Sequence, residues 1–181
     1  MMAPSLICMC GVPGSGKTTI ANKLKQDLGM IVLNPAKFRT THVPLSISES
    51  PIVDAEWYGA AEEFLKSGKS VVMDSTFHRR IKREKLYLFN EGLRHDLMFI
   101  HCVCDSRTAM KRLKYQQEIG QKTFYCDISD MVLAYSKTYE DILEDPQKPP
   151  IIRFNSETGA ISKFNYDGSE LFNRITAILS K

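Results

Sequence analysis

Short apolar runs alternate with stretches of helical periodicity along this chain. The runs at residues 6–10, 30–33, 70–73, 98–103 and 151–154 have the length of buried strands. Between them, apolar residues recur every three or four positions. Ala21, Leu24 and Leu28 do so first and stop at Gly29, a residue suited to close a helix. Trp57, Ala61, Phe64 and Leu65 mark a second helix ending near Gly68, and Leu86, Phe89 and Leu93 a third. Met110 with Leu113 mark a fourth; Val132, Tyr135, Tyr139 and Ile142 follow, and Leu171, Ile175, Ile178 and Leu179 close the chain. Continuous apolar strands separated by helices predict a mainly parallel sheet covered on both faces.

Three segments break this rhythm. Residues 34–53, "NPAKFRTTHVPLSISESPIV", are polar and punctuated by proline, and loops of such length are usually functional. Residues 116–130 separate two helices. The stretch "IIRFNSETGAISKFN" reads as two short strands about a Thr-Gly turn, an added hairpin.

Composition narrows the class. A chain of 181 residues with 43% hydrophobic and 25% charged residues fits a single globular domain spanning 1–181. A net charge of +3 does not by itself imply nucleic acid, so any such argument must be local. No apolar run approaches the ~20 residues of a membrane span. The opening "MMAPSLICMC" lacks the basic segment and long apolar core of a secretory leader, so a cytoplasmic protein is expected. Five cysteines argue against a disulfide framework. The pairs Cys8/Cys10 and Cys102/Cys104 sit in apolar runs, and the expectation is that they are small buried side chains rather than metal ligands.

The strongest chemical signal is "GVPGSGKTT". Residues Gly11, Val12, Pro13, Gly14, Ser15, Gly16, Lys17 and Thr18 fit G-x-x-x-x-G-K-[ST], and Thr19 completes the stretch. Glycines let backbone N–H groups turn inward around an oxyanion, and the following helix points its positive end at it. In such a loop Lys17 faces the β- and γ-phosphates and Thr18 offers its hydroxyl to Mg²⁺. Downstream, "SVVMDST" is an apolar strand ending in Asp74, which places a carboxylate at the edge of the sheet where open α/β folds bind ligands. That carboxylate is expected to approach Mg²⁺ directly or through water.

The loop "GVPGSGKTT", the strand end "VVMDSTF" with the basic "HRRIKRE" after it, and "AMKRL" before a polar segment resemble the small P-loop kinases. The similarity is to the 5′-polynucleotide kinase-like branch, with zeta-toxin kinases as relatives, over most of residues 5–145. It implies a P-loop NTPase three-layer α/β sandwich with a five-stranded parallel sheet in the order 2-3-1-4-5. A helical lid at about residues 112–130 and the short C-terminal hairpin complete that fold. It further implies ATP with Mg²⁺ and phosphoryl transfer to a hydroxyl. In that order the two C-x-C pairs lie side by side in the sheet core.

By the same resemblance, Lys17, Asp74 and Arg112 are the catalytic candidates, with Arg112 also touching nucleotide and Thr18 and Asp74 holding the metal. Asn34 and Arg39 match acceptor-binding positions, and Arg79 and Arg80 at the site mouth are placed to hold an acceptor phosphate. Two positions depart from the pattern. Ala36 stands where a proton-accepting Asp is expected, and Gln116 where a second clamping Arg is expected. Phe77 is the only aromatic beside the basic run, so no stacking platform for bases accompanies it.

Three functions follow as expectations. The first is an ATP-dependent kinase whose hydroxyl acceptor is the 5′ end of a polynucleotide. The second is a small-molecule kinase acting on a nucleoside, sugar nucleotide or antibiotic. The third is an ATP-binding module that has lost catalysis. A GTPase switch is disfavoured because "NKLK" at Asn22 lacks the Asp of N-K-x-D, and an AAA-type motor calls for a longer chain.

Overall fold

The computed structural model describes residues 3–39, 51–121, 126–166 and 168–181, with no description of the side chains of 39, 51 and 52. Among the described residues six strands form one sheet, in the order β2-β3-β1-β4-β5-β6. They are β1 (Ser5–Cys10), β2 (Ile31–Leu33), β3 (Val71–Asp74), β4 (Asp96–Val103), β5 (Ile151–Asn155) and β6 (Ile161–Phe164). The first five are mutually parallel, and β6 runs antiparallel to β5. The expected order of five strands is present, but the hairpin is part of the sheet rather than an appendage. Its second strand zips onto the free edge of β5, pairing Ile151 with Phe164 and Phe154 with Ile161.

The central strand β1 is buried along its whole length, and its side chains alternate between two cores. Ile7 and Met9 face α1 (Lys17–Leu28) and α7 (Glu170–Leu179), packing with Ala21, Leu24, Phe172 and Ile175. Leu6, Cys8 and Cys10 face the opposite layer with Trp57 and Leu65 of α3 (Pro51–Lys66) and Leu86 of α4 (Arg80–Leu93). Burying side chains of this size stabilises the fold by roughly 1.5–3 kcal/mol each. Apart from these two cores, α5 (Ser106–Glu118) and α6 (Ile128–Lys137) pack on each other through Ala109, Leu113, Ile128 and Val132.

Register overturns the expected neighbourhood of the cysteines. Cys8 pairs with Phe99 and Cys10 with His101, so Cys102 lies one step past the end of β1. It points into the α1/α7 core while Cys8 and Cys10 point into the other. A side-chain period of two means that this offset puts Cys102 on the opposite face from Cys8 and Cys10. Cys104 lies past the end of β4 and packs against the cluster of Ala109 and Leu113. No cluster of potential metal ligands occurs among the described residues. Burial pushes the Cys10 thiol up to about 11 and that of Cys102 to about 12, so both are protonated packing groups.

The long polar segment is shorter than it reads. A four-residue helix, α2 (Ala36–Arg39), starts straight after β2, and α3 begins with proline at its first position, where the missing N–H costs nothing. Residues 40–50 lie outside the described ones. In the segment expected to form the lid, α5 runs on to Glu118 and α6 starts at Ile128 behind a capping Asp127, while 122–125 are outside the described residues. The apolar positions from Val132 to Ile142 do not form one helix. It stops at Lys137, where the Thr138 hydroxyl bonds back to the Ala134 carbonyl, and Ile142 belongs to a separate turn, Ile142–Glu144. Among the described residues no helix is long and apolar enough to cross a membrane.

Candidate active site

The carboxyl ends of β1, β3, β4 and β5 meet at one edge of the sheet, and the phosphate loop leaves β1 there. Its glycines adopt positive φ: 134° at Gly11, 80° at Gly14 and 94° at Gly16. Side chains are excluded as well as strained. A Cβ on Gly11 would collide with the Cys102 carbonyl oxygen, and one on Gly14 would meet the Ala109 carbonyl oxygen at 2.6 Å. The loop is closed by Ser15 N–H donating to the Val12 carbonyl at 3.2 Å.

The N-terminus of α1 is built for an anion. Where α5, α6 and α7 each carry a side-chain cap (Asp105, Asp127 and Ser169), α1 starts at Gly16 with no side-chain cap at all. Its first N–H groups and the positive end of its dipole are left facing the loop. Ser15 Oγ is wholly buried inside the loop and has no hydrogen-bond partner there. Buried hydroxyls are normally satisfied, so this one is poised for an oxygen that the loop would enclose. Lys17 is nearly buried, and its Nζ donates to the Val12 carbonyl at 2.7 Å, holding the ammonium across the loop.

Asp74 ends β3 opposite Met9, 3% exposed. Its Oδ2 accepts from Thr18 Oγ1 at 2.8 Å and from Asn34 Nδ2 at 3.0 Å. The structure thus brings together the loop, the β3 carboxylate and the end of β2, three segments far apart in sequence. Asn34 acts in both directions, since its Oδ1 accepts from the Ala36 amide at 2.9 Å and starts α2. Ala36 itself is exposed and supplies no acidic group. Thr18 and Asp74 are hard oxygen donors, the chemistry Mg²⁺ prefers.

Arg112 reaches the site from α5. Its Nη1 donates to Ser156 Oγ at 2.7 Å and to the Gly14 carbonyl at 3.3 Å, and its Nη2 to the Ser156 carbonyl at 2.9 Å. It therefore ties the phosphate loop to the β5–β6 turn. Ser156 had no signal in the sequence beyond its place at the end of an apolar run. Gln116, one turn on, leaves its Oε1 buried without a partner.

The basic run does not form one surface. Arg79 is exposed at the start of α4, and the Arg80 Nε lies 3.5 Å from Asp145 Oδ1. Arg83 is completely buried, with Nε and Nη2 donating to the two oxygens of Asp145 at 2.6 and 2.7 Å. Burial opposes its charge, but the hydrogen bonds and attraction of Asp145 outweigh it and raise its pKa. Lys82 and Lys85 border a groove between α3 and α4 with Asp54 and Tyr58. Phe77 is a core residue, stacked 5.8 Å from Trp57 and edge-on to Phe99. The Arg39 side chain lies outside the described ones.

Comparison with known proteins agrees with this geometry. No curated protein sequence matches the chain. Among solved structures, the Mycobacterium tuberculosis APS kinase CysC, in complex with AMPPNP and APS, is 17% identical with a TM-score of 0.61, covering 100% of both chains. A gluconokinase from Sinorhizobium meliloti is 16% identical with a TM-score of 0.60, over 99% of this chain and 91% of that one. The Pnkp1/Rnl/Hen1 RNA repair complex contains a chain 21% identical with a TM-score of 0.60, over 76% of this chain and 46% of that one. At these identities the likeness is one of fold, that of the small P-loop kinases. A family model described as AAA domain matches residues 6–134. That match spans more than half of the chain. The chain therefore belongs to this AAA domain family, on a P-loop kinase fold.

Proposed function

We propose that the protein is an ATP-dependent kinase that transfers the γ-phosphoryl group to a hydroxyl acceptor. The observation that carries this reading is the convergence of Thr18 and Asn34 on the Asp74 carboxylate beside an uncapped helix that starts with Lys17. The loop amides, Ser15 Oγ and Lys17 would hold the phosphates, and Arg112 would approach them from α5. Mg²⁺, when bound by Thr18 and Asp74, would neutralise the phosphate oxygens. Phosphoryl transfer has a loose transition state, so positioning and charge neutralisation supply most of the catalysis. The absence of an acid at Ala36 is compatible with that chemistry, with Asp74 orienting the acceptor hydroxyl. Residues 112–130 would close over the nucleotide, and a cytoplasmic setting is part of the same reading.

A small hydroxylated acceptor is the reading the geometry favours, because Arg80 and Arg83 turn towards Asp145 instead of forming a phosphate-binding stripe. The gluconokinase and APS kinase likenesses point the same way. A polynucleotide 5′ end is the second reading. It rests on exposed Arg79 and on Arg39, together with the resemblance to polynucleotide kinases and the RNA repair likeness. Titrating short 5′-hydroxyl oligonucleotides at two salt concentrations separates the two. A polynucleotide acceptor predicts binding that weakens steeply with salt, with the slope reduced by roughly one unit in Arg79→Ala. Absence of binding at low salt supports the small acceptor. A panel of small alcohols that elicits no ADP release above background, with no oligonucleotide bound, would identify a binding-only module.

A further inference from the structure

The turn that follows Asp74 is held by a buried polar assembly that the proposed reaction does not use. Phe77, three residues on, has φ of +40°, an uncommon conformation for a bulky side chain. Its carbonyl accepts two hydrogen bonds, from Arg83 Nη1 at 2.8 Å and from the Cys10 thiol at 3.4 Å. Cys10 immediately precedes the phosphate loop, and the Gly11 amide donates to the Thr76 carbonyl at 2.9 Å. The turn is therefore stitched to the loop entrance at two consecutive residues.

Arg83 is aimed by its partners. Both oxygens of Asp145 grip its fork, and the Tyr87 hydroxyl donates to the same carboxylate at 2.7 Å. A fork held at two donors leaves the third pointing in one direction, a specificity that lysine cannot supply. From the other side, the Glu140 amide donates to the His78 carbonyl at 2.9 Å, and the Glu140 carboxylate accepts from the Arg80 amide at 2.6 Å. The segment after α6 thus clamps the C-terminal end of the turn, where it enters α4. A buried ion pair is weak support for stability, because desolvation offsets much of the attraction. Its value here is directional.

We propose that Arg83, clamped by Asp145, is a positioning residue: it fixes the Phe77 carbonyl and so holds the Asp74–His78 turn against the entrance of the phosphate loop. The link to nucleotide chemistry rests on the kinase reading above; the holding of the turn does not. Loss of the fork frees the Thr76–Gly11 hydrogen bond to open and lets the Asp74 carboxylate wander from Thr18.

Hydrogen exchange of the Gly11 amide, with Ile100 in β4 as the reference for the whole fold, tests the mechanical half. In Arg83→Lys the Gly11 amide should exchange at least about tenfold faster, out of step with Ile100. The double variant Arg83→Met/Asp145→Leu leaves no unpaired buried charge, and there Ile100 should match the wild type while Gly11 remains fast. AMPPNP binding with and without Mg²⁺ tests the link to the site. The metal-free affinity should be kept and the tightening by Mg²⁺ lost in both variants. Gly11 exchange that rises only in step with Ile100, or stays at the wild-type level, overturns the proposal. An undiminished response to Mg²⁺ overturns its connection to Asp74. Failure of the wild type to bind AMPPNP overturns the kinase reading instead, and the exchange comparison still decides whether Arg83 holds the turn.

Discussion

Glycine at position 14 is required twice over, by its φ of 80° and by an Ala109 carbonyl oxygen 2.6 Å from where a Cβ would sit. Gly14→Ala should therefore deform the loop and weaken nucleotide binding, with strain of about 1–3 kcal/mol. Gly59, inside α3 with open space around it, is the control. Gly59→Ala should raise stability by roughly 0.5–1 kcal/mol through helix propensity, read as a higher Tm with nucleotide affinity unchanged. A Gly14→Ala protein that binds AMPPNP normally contradicts the loop geometry. Asp74→Asn separates grip from chemistry. It keeps the shape that Thr18 and Asn34 contact but removes the charge, so turnover should fall on the order of 10²-fold while metal-free AMPPNP affinity is nearly preserved. A variant that loses only acceptor affinity would show that Asp74 serves the acceptor instead of the metal.

At the scale of elements, the structure shows why some features were legible and others not. The phosphate loop and the strand ending in Asp74 were readable because each is a contiguous pattern whose chemistry needs adjacent residues. Arg83 was not. Its partner lies on another element, and a fully buried arginine looks in sequence like any other charge in "HRRIKREK". The cysteine pairs were expected side by side in the sheet core, but β1 and β4 are neighbours with Cys102 one step past Cys10 and Cys104 beyond the strand, because strand order does not fix register. His101 is another consequence of register, since it is carried beside Cys10 into the polar layer beneath the loop.

That histidine yields a pH prediction. Its Nδ1 accepts from Arg153 Nε at 3.3 Å, which leaves the proton on Nε2 to donate to the Tyr139 hydroxyl at 2.7 Å. Burial, and then the Arg153 charge, push its pKa down to about 4, with Asp141 opposing. The unfolded chain takes up a proton near the ordinary histidine pKa of about 6.5, while the folded one does not until about pH 4. Stability is therefore full above pH 6.5 and is lost as pH falls towards 4, by on the order of 3 kcal/mol. Denaturant melts across that window should show the slope in the wild type and a flatter one in His101→Gln. Equal slopes would place the titration elsewhere.

Across the whole molecule, the site is a meeting of distant parts held to one edge of the sheet. The loop comes from β1, the carboxylate from β3, Asn34 from the end of β2, and Arg112 with Ser156 from α5 and the end of β5. The central claim is that this assembly moves a phosphoryl group to an alcohol. Tracking the label from γ-labelled ATP, with a panel of hydroxylated acceptors present, tests it most directly. The account predicts acceptor-stimulated ADP release, with the label recovered in a phosphate ester of the acceptor and none transferred by Lys17→Ala. Label that appears only as inorganic phosphate, or transfer that survives in Lys17→Ala, would contradict it.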